Sequence, residues 1–329
     1  MLAWQVDHVG DPDEVLHLTE IDVPAPGPGQ VLLRTRTAGV NFPDYLVCRG
    51  IYQVKPPLPF TPGHEVCGDV IAVGPGARAT VGSRVAAVTA LPAGGWAPFC
   101  LARDGNVFDV PHAMADDVAA AFVINYQTAY LALNRRAHLR AGETLLVQSG
   151  AGGVGSAAIQ VGRAMGARVI ATAGTADRAN ECRRLGADVT IDYSAENIVE
   201  AVRAATAGAG VDVVCDTLGG PLLLESIRCM GFEGRMVVVG FTSGDIPAIP
   251  ANRLLLGNCA ALGLNSTTYR TAHPDVVRAA HGELLKWYGR GEIKPRVGMI
   301  RPMAEARETL RDLVERRIGG KAVLSLSTV

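Results

Sequence analysis

The chain has 329 residues, 31 basic and 32 acidic side chains and a net charge of −1, a balance that argues against a nucleic-acid partner. No apolar run reaches the length of a membrane span, and no basic-then-apolar leader opens the chain, so a cytoplasmic protein is expected. Seven cysteines, an odd number without any C-x-x-C pair, exclude a disulfide frame and point to a reduced compartment.

Residues 1–124 read as β-rich. Val31-Leu-Leu-Arg-Thr-Arg-Thr, Glu65-Val-Cys-Gly-Asp-Val-Ile-Ala-Val-Gly and Arg84-Val-Ala-Ala-Val-Thr are short strands. Segments such as Pro24-Ala-Pro-Gly-Pro-Gly and Lys55-Pro-Pro-Leu-Pro punctuate them. The pattern predicts a compact barrel-like domain. The character changes near Asn125. A helix over 126–137 leads into six strands at 144–149, 168–173, 188–191, 211–216, 235–240 and 259–264. Helices are predicted between them at 155–166, 176–185, 195–206, 220–230 and 251–257. This alternation predicts a doubly wound parallel sheet covered on both faces. Beyond residue 266 come helices over 275–288 and 303–317 and a strand from Lys321. That tail is too short for a domain of its own. The expected division is therefore 1–124, completed by 266–329, and 125–265.

One motif carries chemistry. The strand ending at Val147 runs into Gly150-Ala151-Gly152-Gly153-Val154-Gly155 and then a helix, which is G-x-G-x-x-G in its meaningful context. The first glycine allows the turn, the second lets the backbone approach a pyrophosphate, and the third lets helix and strand pack closely. Free N–H groups and the helix dipole favour the anion. The next strand ends Thr172-Ala173-Gly174-Thr175, without the carboxylate that would bind a ribose 2′-hydroxyl. Asp177 falls in the first turn of the following helix. Arg178 is placed either to reach a 2′-phosphate or to lie solvated on that helix. Phe241 and Asn265 follow the fifth and sixth strands, at the carboxyl edge where such sheets bind ligands.

Together, Ala38-Gly-Val-Asn-Phe-Pro-Asp-Tyr, Pro62-Gly-His-Glu-Val-Cys-Gly-Asp-Val, the glycine loop, Val239-Gly-Phe-Thr-Ser-Gly and Gly319-Gly-Lys-Ala-Val-Leu resemble the medium-chain dehydrogenase/reductase superfamily. Within it the chain is most similar to the zinc-independent NADPH:quinone oxidoreductases related to zeta-crystallin. The resemblance spans essentially the whole chain. It implies a GroES-like β-barrel domain and a six-stranded Rossmann domain. It also implies NADPH as cofactor, its 2′-phosphate held by Arg178 and Tyr193 beside Gly174 and Thr175. Phe241, Asn265 and Lys321 are the further cofactor residues that it suggests. Asn41, Asp44, Tyr45 and Tyr52 fall where the family has its active-site mouth, and Thr128 lies beside the nicotinamide. Asn41 either donates an amide N–H or caps a turn, and Tyr52 either donates its hydroxyl, stacks on a planar ring or packs. A homodimer paired through the segment Asn258–Leu264 is also implied.

In zinc-dependent members of the superfamily, the histidine of Gly63-His64-Glu65 binds metal together with a cysteine at the place held here by Asn41. Residues 86–100 contain one cysteine where a structural zinc lobe needs four. No metal is therefore expected, and His64 reads as a hydrogen-bonded histidine paired with a neighbouring polar group. A reaction without a Lewis acid suits a quinone, which is already electrophilic. The same argument admits enones, enals and enoyl thioesters. A dinucleotide-binding protein with little turnover also stays open.

Overall fold

The structure is a computed structural model and describes residues 1–326. Strands β1 (Leu2–Val6) and β2 (Leu16–Glu20) form an antiparallel pair. Strands β3 (Gln30–Val40), β4 (Glu65–Val73), β5 (Arg84–Thr89) and β6 (Phe99–Asp109) pair antiparallel in order. β6 then returns to β3 and closes the ring, which removes the edges that an open sheet leaves unpaired. Alternation along β3 sets the inside. Val31, Leu33 and Thr35 are buried, whereas Arg34 and Arg36 point out and both pair with Asp69 on β4. Leu33, Val66, Val85, Trp96 and Cys100 are core residues of the barrel.

The helix Val123–Tyr130 follows and runs on as a π-helix, Leu131–Arg136. Strands β7 (Thr144–Val147), β8 (Arg168–Ala173), β9 (Val189–Asp192), β10 (Val211–Asp216), β11 (Met230–Val238) and β12 (Ala260–Gly263) then form one parallel sheet. Its order is β12-β11-β10-β7-β8-β9, so the winding reverses between β7 and β10. Leu146, Ile170, Val214 and Met236 form its core with the covering helices. This is the six-stranded Rossmann sheet expected from the alternation. β11 starts five residues before the predicted 235. Its first turn of chain carries an exposed Phe232 and a left-handed Glu233, where the pairing with β10 is irregular.

β13 (Val297–Pro302) and β14 (Lys321–Ser325) pair parallel, and β14 joins β3 antiparallel. The chain divides into two units. One is Met1–Ile124 with the residues from Pro295 on, and the other is Asn125–Lys294. The expected return to the barrel at 266 thus comes later. The helix Pro274–Gly289 buries Val277, Leu284 and Trp287 within the second unit, where Trp287 packs on the Tyr130 ring at 5.5 Å. Lys294 is held there by the Gln160 carboxamide at 2.6 Å. Among the described residues, no helix is long and apolar enough to cross a membrane.

Candidate functional site

In the second unit, the glycine loop leaves the carboxyl end of β7 and becomes the helix Gly153–Ala164. Ser149 enters the loop in the left-handed region (φ 53°), and its carbonyl accepts the Gly152 N–H at 3.0 Å. The glycines have different jobs. A Cβ at Gly155 would sit 2.1 Å from the Ser149 carbonyl oxygen, and one at Gly150 would sit 2.8 Å from Cys182 Sγ. Both positions are closed by packing. A Cβ at Gly152 would meet only Ser149, at 3.3 Å, with open space beyond. Gly152 is the N-cap and supplies no side-chain cap, so the first N–H groups of the helix keep their hydrogen-bonding capacity. Open space lined by N–H donors fits a pyrophosphate. Ala151, Gly153 and Val154 complete this turn, and the Asn125 carboxamide lies against Gly153, its Nδ2 2.9 Å from the Cβ position. Asn125 was not expected here, because it is a preceding helix that brings it to the loop.

The next corner is at the carboxyl end of β8. Tyr193 follows β9, and its backbone N–H donates to Ala173 at 3.0 Å. Its ring lies over Gly174, where a Cβ would be 2.7 Å from the phenolic oxygen. Thr175 caps the helix Ala176–Arg184 by accepting the Arg178 N–H. Gly174 and Tyr193 are thus in contact, Thr175 and the Arg178 backbone are joined at the start of the next helix, and Asp192 ends β9 opposite Ala173. Phe241 follows β11 and packs on Gly219 after β10, so these two loops meet at the same edge. Asn265 is the N-cap of the helix Ser266–Ala272, its Oδ1 accepting the Thr268 N–H at 3.2 Å. Thr128 is 5 % exposed and lies inside the helix that begins at Val123. Asp216 ends β10 with Oδ1 accepting the Leu218 and Gly219 N–H groups, and burial pushes its carboxyl up. A cavity of about 480 Å³ opens at the amino ends of the strands, beside Thr144, Arg168 and Phe232, away from the edge where such sheets bind ligands.

The barrel unit carries a second cluster. Asn41 ends β3 as the N-cap of the helix Phe42–Cys48, and its N–H donates to Asp44 Oδ2 at 2.7 Å. Lys321, from β14, is buried. Its ammonium donates to Asn41 Oδ1 and, at 2.7 Å, to Glu65 Oε2. Glu65 Oε1 accepts the Ile124 N–H at 2.7 Å. Asn41 Nδ2 faces Glu65 Oε2 and the Gly39 carbonyl, each at 3.4 Å. The Asn41 amide is therefore turned into this cluster at both ends. Lys321, expected beside the cofactor, is the counter-charge of a buried carboxylate. Asp44 also binds the Gly63 and His64 N–H groups at 3.1 Å and His64 Nδ1 at 2.5 Å. Tyr52 packs against the barrel core and lies edge-to-face on His64, with ring centroids 6.0 Å apart. Among the described residues, no group of three or more His, Cys, Asp or Glu side chains is arranged to hold a metal.

A closed barrel carrying a His–Asp and Lys–Glu cluster, followed by a dinucleotide-type sheet with an open glycine cradle, defines the medium-chain dehydrogenase/reductase class. Residues 27–115 match the family described as alcohol dehydrogenase GroES-like domain, and residues 153–281 match the one described as zinc-binding dehydrogenase. The chain is 31 % identical to the quinone oxidoreductase of Sus scrofa, over 99 % of this chain and 98 % of that one. A mycobacterial protein solved with NADPH superposes with a TM-score of 0.92 at 32 % identity, covering 99 % of this chain and 100 % of the other. The quinone oxidoreductase of Thermus thermophilus, also solved with NADPH, gives 0.85 at 35 % identity over 99 % and 100 %. The chain belongs to the quinone oxidoreductase branch of the medium-chain dehydrogenase/reductase superfamily.

Proposed function

We propose that this chain is an NADPH-dependent oxidoreductase that reduces quinones without a metal ion. The observation that carries the reading is Lys321. Its buried ammonium donates to Asn41 and Glu65, beside the His64 that a zinc would need. A zinc placed there would have to break the His64–Asp44 bond and would find the Asn41 amide already committed to Lys321, Glu65 and Gly39. Without a Lewis acid, the acceptor must be electrophilic by itself, as a quinone is.

NADPH, when bound, supplies the hydride. The chain's part is binding and orientation. The N–H groups at Gly153–Gly155 hold the pyrophosphate against the helix dipole. The guanidinium of Arg178 and the hydroxyl of Tyr193 favour a 2′-phosphate over a 2′-hydroxyl. Relatives solved with NADPH support the same choice. Tyr52 offers a ring edge and a hydroxyl to a planar acceptor. A second copy pairs along the exposed edge of β12, flanked by Leu255 and Leu256, which are both 77 % exposed.

The test is NADPH oxidation by metal-analysed protein with ortho-quinones, para-quinones and enones, with and without chelator. Turnover fastest with a quinone and unaffected by chelator is the expected result. Turnover confined to enones, or abolished by chelator, defeats the reading.

A further inference from the structure

We infer that His64 is the proton donor to the reduced acceptor, with Asp44 as its positioning residue; the inference rests on the quinone reading above. Asp44 is fully buried and accepts on both oxygens, from the N–H groups of Asn41, Gly63 and His64. Toward the imidazole it can therefore only accept, which makes Nδ1 the N–H that points at it. Nε2 is left as the ring's other nitrogen. It is buried and has no hydrogen-bond partner among the described residues. Buried polar atoms rarely stay unpaired unless a ligand or a catalytic role accounts for them. The His64 side chain as a whole is 13 % exposed. Tyr52, the residue expected to meet a planar acceptor, lies edge-on beside it.

The arrangement has the parts of a general acid: a histidine, an orienting carboxylate and a second nitrogen without a protein partner. Asn41, the obvious alternative donor, is turned toward Lys321, Glu65 and Gly39. Two-electron reduction of a quinone with a hydride leaves a hydroquinone monoanion. With Nδ1–H committed to Asp44, the acid in this step is the imidazolium form of His64, and the oxyanion takes its Nε2 proton. The N–H bond breaks with its electron pair staying on nitrogen, the O–H bond forms, and the neutral imidazole is reprotonated from water. The charged and titratable groups around the ring are Asp44 and, beside Asp44, Cys48; Tyr52; and the Glu65–Lys321 pair of the adjoining strand, whose charges balance.

The informative variant is His64→Asn, whose amide can keep the Asp44 bond while Nε2 is removed. His64→Gln is the companion, with a donor near Nε2 that has no transferable proton. Two readouts are needed. With NADPH and an ortho-quinone, kcat should fall about 100-fold in His64→Asn, at the lower end of what positioned proton transfer contributes. NADPH affinity should stay within about twofold, and the wild-type decline of kcat toward high pH should disappear. Imidazole should restore part of the rate to His64→Ala. In cofactor-free protein, 4-nitrophenolate followed by its absorbance should bind at least about tenfold tighter to wild type than to His64→Asn, with His64→Gln between the two. Unchanged kcat and pH profile in either folded variant, or equal nitrophenolate binding, overturns the inference. If wild type reduces no quinone, the function proposed above fails, and the nitrophenolate comparison alone decides the role of His64.

Discussion

Lys321→Met tests the barrel cluster most directly. The Lys321 side chain is 5 % exposed and that of Glu65 fully buried, with Nζ and Oε2 2.7 Å apart. Methionine preserves most of the volume and deletes the charge, so Glu65 keeps the Ile124 N–H and loses its counter-ion. Removing one member of a buried pair costs about 3–5 kcal/mol, because the remaining charge is uncompensated. For a unit of this size, each kcal/mol moves the melting temperature by roughly 2–4 °C, so a fall on the order of 10 °C is expected. Calorimetry at neutral pH measures it. Adding Glu65→Gln to Lys321→Met should recover part of the loss, since the stranded charge is gone. A single variant that loses less than about 1 kcal/mol, or a double variant whose losses simply add, would refute the reasoning.

Gly155→Ala would drive a Cβ to 2.1 Å from a backbone oxygen and should abolish NADPH binding and lower stability, whereas Gly152→Ala should leave the melting temperature nearly unchanged and still weaken NADPH in a fluorescence titration. Arg178→Ala should weaken NADPH by roughly 1–3 kcal/mol and leave NADH unchanged; equal losses for both would remove the 2′-phosphate contact. Leu262→Lys on β12 should convert a dimer to monomer by light scattering, and a wild type that is monomeric at micromolar concentration rejects the pairing. Burial alone would raise the carboxyls of Asp69 and Asp116, but hydrogen bonds outweigh it: from Arg36 and Arg34 for Asp69, and from Arg84 and Arg36 for Asp116. Both therefore lie below the ordinary 3.8. The stability they contribute is present above that value and lost as pH falls through the lowered values. Arg36→Met should flatten the drop in melting temperature between about pH 5 and pH 2.

The doubly wound sheet was legible because its strands are apolar runs cut by glycine turns, and five of the six begin within a residue of the expected positions. The start of β11 is not legible because Gly231, Glu233 and Gly234 break the apolar pattern there. The placement of 266–294 failed for a different reason. The apolar face of the helix Pro274–Gly289 is plain in the sequence, but nothing local says which unit it covers. The nucleotide-side residues follow from strand ends, so chain order predicts them. The barrel cluster does not. Lys321 and Asn41 are 280 residues apart, and only the pairing of β14 with β3 brings them together. His64 was expected to hold a neighbouring polar group, and Asp44 was already in view. Their connection became visible only with the helix that carries Asp44 beside Gly63.

The return of β14 to β3 also sets a timetable for the ribosome. Val40 emerges early, yet its partner strand must wait for the whole of 125–294 to be translated. At typical elongation rates that delay is on the order of ten to thirty seconds. The intervening unit is continuous and can fold during the pause. The barrel meanwhile has Glu65 in place and no Lys321 to meet it. A nascent chain arrested before residue 321 would therefore carry an exposed β3 flank and a carboxylate without its counter-ion, a state suited to chaperone capture and unsuited to catalysis.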